Sequence, residues 1–145
     1  MDFRDFLTVA FALASGATEA EWRSAVSRAY YAAFHVGCAL LRDLGFTVPR
    51  ADRAHAYAWL RLGNSGHLDV SRAGQRLNHL RGERNRSDYD DRSSVTQAVA
   101  RNLVQTAEKV IQAFDDARLE PTRTQVTNAM VVYERDVLRD VTWHP

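Results

Sequence analysis

Between Trp22 and Leu41 apolar and small residues recur at helical spacing: Trp22, Ala25, Val26, Ala29, Tyr30, Ala33, Phe34, Gly37, Leu40 and Leu41. The stripe persists for about five turns at 3.6 residues per turn. A helix that long, apolar along its whole length, needs other helices of comparable length to cover it. Its ends are marked. Thr18 followed by Glu21 forms a capping box at the start, and Gly45 supplies the stop. With three prolines and seven glycines among 145 residues, little of the chain is free for strands joined by tight turns. The fold class that follows is all-α, an antiparallel up-and-down helical bundle of five or six helices.

The remaining segments fit that class. Asp2 to Ala14 reads as a first helix with Phe3, Phe6, Leu7, Ala10 and Leu13 on one face, ended by Gly16. The long second helix runs to Gly45. A third covers about 53–62 and stops at the turn Gly63-Asn64-Ser65-Gly66. Asp69 or Ser71 caps a fourth that continues to about Asp88. Ser94 and Gln97 form a second capping box, opening a fifth helix with Val95, Val99, Leu103, Ala107, Val110, Ile111 and Phe114 to about Leu119. Pro121 opens a sixth, whose stripe is Val126, Met130, Tyr133, Val137 and Val141. The second and fifth helices are expected at the centre. No repeat, linker or low-complexity tract interrupts the pattern, so one domain over 1–145 is expected.

Composition excludes several function classes. A net charge of +1 creates no global field for nucleic acid. Lys109 is the only lysine, so nearly all basic residues are arginine, the better bidentate partner of phosphate and carboxylate. Cys38 stands alone within an apolar pattern, which excludes a disulfide framework and fits a small buried residue in a reducing cytoplasm. Acidic residues precede the apolar N-terminal run, so no targeting segment is expected, and no run reaches the length of a membrane span. No His, Cys or carboxylate cluster has metal-ligand spacing, and no glycine-rich phosphate loop occurs, so neither metal nor cofactor is expected.

Chemistry concentrates in the stretch His79-Leu-Arg-Gly-Glu-Arg-Asn-Arg-Ser-Asp-Tyr-Asp90. The fourth helix's stripe is Val70, Ala73, Leu77 and Leu80, and its next turn brings Arg84, then Asp88. The guanidinium therefore occupies a core-facing position and needs a partner, because an unpaired buried charge is very costly. Asp88 supplies one. An acid C-terminal to its base is the weaker helical orientation and opposes the helix dipole. The arrangement accordingly points to a shared third partner from another helix or chain. The second helix carries a second, polar and aromatic face that suits the role: Arg28, Tyr31, His35, Cys38 or Ala39, and Arg42. The bland alternatives are an ion pair between helices for Arg84 with Asp88, core packing for Tyr30 and Tyr31, and a satisfied interior imidazole for His35. His55 and His67 read as surface residues. Arg72 and Arg76, one turn apart, with Arg81, Arg84, Arg86 and Arg92 beyond, form a basic edge diluted by Glu83, Asp88, Asp90 and Asp91. It reads as a solvated face able to touch a phosphate backbone.

Together, Ser-Arg-Ala-Tyr-Tyr-Ala-Ala-Phe-His-Val-Gly-Cys-Ala-Leu-Leu in the second helix and Leu-Arg-Gly-Glu-Arg-Asn-Arg-Ser-Asp-Tyr-Asp in the fourth resemble the HEPN family. They are closest to short stand-alone members whose second motif reads Arg-x-x-x-Asp-Tyr. The resemblance spans about 21–114. It implies a helical bundle, usually a homodimer, whose active members are metal-independent ribonucleases. Many of those are toxins paired with a nucleotidyltransferase-like antitoxin, or parts of antiviral systems. Arg84 and Asn85 match the family's catalytic Arg and following polar residue. The motif's histidine is missing, and Asp88 and Tyr89 fill its span. The chemistry notices the loss: an imidazole titrates near neutrality, whereas an aspartate paired with arginine is a poor base. His35, or His79 from a partner chain, are the conceivable substitutes. Three readings stay open. The first is a dimeric module binding RNA, a nucleotide or a partner protein in a cleft built from Arg84, Asp88, Tyr89, Arg28, Tyr31, His35 and Arg81. The second is a ribonuclease toxin using Arg84 and Asn85 in a non-standard set. The third is a protein–protein interaction subunit.

Overall fold

The computed structural model describes residues 1–145. Six α-helices run in order: α1 Asp5–Ala14, α2 Glu19–Leu44, α3 Arg53–Gly63, α4 Leu68–Tyr89, α5 Gln97–Asp116 and α6 Thr122–Tyr133, the last continued by a π-helical turn, Glu134–Leu138. There are no strands. No helix is long and apolar enough to cross a membrane.

The long stripe makes α2 the hub. It contacts α1, α3, α4 and α5, most extensively α5. Ala25, Val26, Ala29, Ala33, Leu40 and Leu41 are fully buried along it. Covering both sides of one helix is possible because its small residues let neighbours approach. Phe114 of α5 seats against Gly37, where a Cβ would lie 3.0 Å from the ring. The Thr18 hydroxyl accepts from Glu21 N at 3.2 Å, as the capping box requires. Gly45 closes the helix at φ 107°, a conformation favouring glycine. The α3–α4 contact is closer still: a Cβ on Gly74 would fall 2.3 Å from Gly63 N.

Several boundaries differ from the predicted ones. Helix α1 begins at Asp5, leaving Phe3 outside the helix. The α4 cap is His67, whose Nδ1 accepts from Val70 N at 3.4 Å, not Asp69 or Ser71. Thr96 rather than Ser94 caps α5. Gln97 donates instead to the Ala14 and Gly16 carbonyls, tying the α5 start to the α1–α2 turn. Because the helix begins at Gln97, Val99 faces water at 45% exposure while Ala100 takes the core position.

The sixth stripe also turns out differently. Val126, Met130 and Glu134 are fully buried, while Val137 and Val141 are exposed. After the π turn the chain leaves helical geometry at Arg139, and an extended tail returns to the end of α2. There Trp143 Nε1 donates to Leu44 O at 2.8 Å, and His144 N to Gly45 O at 2.9 Å. The tail is held by the Glu134 carboxylate, which accepts from Thr142 N and Trp143 N and pairs with Arg61 Nε at 2.7 Å. That ion pair is sealed, with Arg61 at 3% and Glu134 at 0% side-chain exposure.

Candidate functional site

The last turns of α4 lie against the second face of α2. Val70, Ala73, Leu77 and Leu80 are buried as their spacing requires. One turn further the Arg84 side chain, 16% exposed, lies along the seam. Its Nε is 3.2 Å from Asp88 Oδ2. That Nε is fully buried yet lacks hydrogen-bond geometry to the carboxylate, so the contact is Coulombic. The other nitrogens are directed: Nη1 donates to Asn85 Oδ1 at 2.8 Å, and Nη2 to the Tyr31 hydroxyl. Asp88 Oδ2 also accepts from Ser27 Oγ at 3.2 Å. In place of one shared third partner, α2 gives each its own: Tyr31 for Arg84 and Ser27 for Asp88.

Around Tyr31 the site is cationic and aromatic. The Arg84 guanidinium sits 4.9 Å from the Tyr31 ring centre and the Arg28 guanidinium 5.3 Å, so two cations share one ring. Arg28 lies also 5.0 Å from Phe6. Such contacts contribute about 0.5–1 kcal/mol each where exposed and more where desolvated. Neither Arg28 nor Arg81 makes an ion pair, and Arg81 Nε is buried with no acceptor. His35 stacks on Phe3 at 3.7 Å and adjoins Tyr31 at 6.2 Å. Burial, with the charge of Arg42, pulls its pKa down. Tyr89 is 76% exposed, its ring 5.8 Å from Arg84. Arg28, Tyr31, His35, Arg84, Asn85, Asp88 and Tyr89 thus fall into one chain of contacts. Arg81 adjoins them through Tyr30 and His55, whose titration feels its charge. His79 is exposed, and on the same chain nothing brings it to Arg84.

The site's shape departs from a cleft. Of the cavities in the chain, none is lined by Arg28, Tyr31, Arg81 or Arg84. These residues form an open face. Two enclosures flank it: one of about 510 Å³ is lined by Arg23, Ser87, Asp88, Tyr89 and Arg92 among others, and one of about 370 Å³ by Phe34, His35, Cys38, Arg42, Asp52 and His55 among others. Burial pushes the Cys38 thiol up to about 11, so no thiolate forms there near neutrality. No group of three or more His, Cys, Asp or Glu residues is placed to hold a metal ion.

His55 corrects a predicted surface position. It is buried, stacked on Phe34 at 4.3 Å, and its Nδ1 is bonded to the Tyr30 hydroxyl. Its Nε2 has no hydrogen-bond partner in the chain, and the residue lines the enclosure of about 370 Å³. Burial, then the charges of Arg81 and Arg84, hold the imidazole below its ordinary pKa. Burial raises Tyr30 well above the usual phenol range. The sequence held a signal for His55: it shares helical spacing with Ala58 and Leu62, both fully buried.

Arg23 was also missed. Its Nη1 donates to the carbonyls of Ser87 at 2.9 Å and Asp90 at 2.8 Å, and Nη2 to Ser93 O. Carbonyls at the end of a helix lack intrahelical donors. A guanidinium from α2 fills that need and fixes the end of α4 next to Arg84.

A model of the HEPN domain family matches residues 5–117 of the 145. No curated protein and no solved structure matches the chain.

Proposed function

The chain belongs to the HEPN domain family, and on that premise we propose that it works as a homodimeric module binding single-stranded RNA through the face around Arg84. Two guanidinium groups on one tyrosine ring carry the reading. Asp88 offsets Arg84, but Arg28 and Arg81 have no carboxylate, so the face keeps positive charge for a phosphate. The exposed Tyr89 ring and the Phe3–His35 stack offer platforms for bases, a sequence-tolerant attraction worth about 1–3 kcal/mol per base. An open face becomes a cleft only when something supplies the opposite wall. A second copy of the chain, presenting the same face, does so with twice the arginines. A toxin–antitoxin or defence setting, with a nucleotidyltransferase-like partner, fits such a module.

A second reading, a metal-independent endoribonuclease, is favoured by His55. With its proton on Nδ1, donated to the Tyr30 hydroxyl oxygen, the neutral imidazole would keep the lone pair of Nε2 free to accept a proton. It would take the proton of a 2′-hydroxyl as that oxygen bonds to the neighbouring phosphorus. The 5′-oxygen would leave with a proton drawn from solvent: His35 lies on the same enclosure, but burial disfavours the protonated form that could donate one.

Light scattering and fluorescence anisotropy with a labelled single-stranded RNA test the first reading. The expected results are a dimer mass, binding that weakens with salt, and roughly tenfold weaker affinity in Arg28→Ala and in Arg84→Ala with helicity preserved. A monomer mass at micromolar concentration, or unchanged affinity in both variants, would refute it. Total RNA left intact speaks against the second reading. Cleavage to 2′,3′-cyclic phosphate ends, lost in His55→Gln, would establish it.

A further inference from the structure

On the far part of α4 from Arg84, a second group of basic residues lines a half-open concavity. Twelve residues of helix separate Arg72 from Arg84, about 18 Å at 1.5 Å per residue. Here the first turns of α4, the last turns of α5 and the start of α6 surround a cavity of about 260 Å³. Val70 and Ala73, both buried, form an apolar floor. Arg72, Arg76 and Lys109, the chain's sole lysine, line it. None of the three belongs to any ion pair of the protein.

The two carboxylates at the cavity do not neutralise these cations. Asp69 pairs with none of them, and Asp116 accepts from Gln112 Nε2 at 2.9 Å instead. Three positive groups therefore meet two negative ones across a shared space without contact. Cations converging on a concavity repel one another, an arrangement that an anion between them relieves. The opening turns of α4 and α6, which border the cavity at Asp69 and Thr122, add partial positive charge of the same sign. A volume equal to roughly eight or nine waters at 30 Å³ each admits a small ester but not a folded chain.

We infer that this α4–α5–α6 cavity binds a small phosphate monoester, its phosphate between Arg72, Arg76 and Lys109 and its organic part on Val70 and Ala73. The site is separate from the Arg84 face and does not rest on its function.

Amide chemical-shift titration of the full chain tests the inference, with inorganic phosphate and then a pentose 5-phosphate as probes at matched ionic strength in chloride. Saturable shifts are expected around Ala73, Lys109 and Ala113, with the pentose phosphate binding more tightly than phosphate. Arg76→Gln with Lys109→Gln should abolish them, and both side chains reach solvent, so the fold is retained. Asp69→Asn removes a like charge and should tighten binding roughly threefold or more, an outcome that a loss of folding cannot imitate. Non-saturating shifts, shifts confined to the surroundings of Tyr31, or an Asp69→Asn affinity equal to wild type would overturn it. Saturation by a single-stranded RNA but by neither small probe would overturn it too, reassigning the cations to a strand.

Discussion

Replacing Arg61 by leucine should be among the most damaging single changes in this protein. Glu134, with no side-chain exposure, would keep its charge but lose the guanidinium 2.7 Å away. Stranding one member of a buried pair costs about 3–5 kcal/mol. At roughly 2–4 °C per kcal/mol for a chain of this size, Tm falls by on the order of 10 °C. The loss should depend on pH, and its sign follows from the native carboxyl. Burial alone would raise the Glu134 pKa, but bonds from Thr142 and Arg61 outweigh it and hold the group below its ordinary range. A depressed native pKa contributes stability that is present above the unfolded value, about 4.3, and is lost as pH falls through the native one. In Arg61→Leu burial is no longer opposed by the guanidinium, and the acid gains from being protonated. The gap between wild type and variant should therefore narrow from pH 7 towards pH 4. Urea denaturation across that range measures it. Arg61→Leu with Glu134→Leu should recover only part of the loss, since the Thr142 and Trp143 amides lose their acceptor and should exchange with deuterium faster. A single-variant cost below about 1 kcal/mol, or a pH-independent gap, would refute the reasoning.

Arg84→Leu should cost roughly 1 kcal/mol, a lower figure because its pair is partly solvated, at 16% and 28% exposure. Arg84→Leu with Asp88→Leu should restore most of it in the same denaturation assay, and a double variant no better than the single would argue against the pairing. Two glycines of α4 should respond oppositely in thermal melts. Gly82→Ala meets nothing within 4 Å and should stabilise by about 0.5–1 kcal/mol. Gly74→Ala drives a Cβ to 2.3 Å from Gly63 N and should destabilise by at least about 2 kcal/mol.

Periodicity reported which residues share a helix face, and that sufficed for the α2 stripe and for the Arg84–Asp88 turn. It could not report which neighbour docks on a face. His55 and Arg61 both follow the buried positions of α3, yet the first was read as surface and the second was passed over, because the partners that make them tolerable lie 25 residues away at Tyr30 and 73 away at Glu134. The sixth stripe failed for a related reason. Val126, Met130 and Glu134 are evenly spaced, but the carboxylate masked the third position and Tyr133 with Val137 looked the better continuation. Thr96 and Ser94 both suit a cap, and the choice between them rests on Gln97 reaching the Ala14 carbonyl, a contact no local window contains.

These long-range contacts also bear on the binding proposed at Arg84. Its register against Tyr31 is set at one end of α4 by Arg23, which binds the terminal carbonyls, and at the other by the close Gly74–Gly63 approach. Ordering a free arginine side chain costs up to about 1.5–2 kcal/mol. Here that cost is met on folding, since Asp88, Asn85 and Tyr31 already hold the guanidinium. Arg28 is positioned too, but only by ring faces, and no acceptor fixes its nitrogens. The two cations should therefore contribute differently to an anionic ligand: Arg84 as a fixed point that sets geometry, Arg28 as a mobile clamp with unused donors. Loss of Arg28 should then act chiefly on the dissociation rate, and loss of Arg84 on how precisely the ligand is placed.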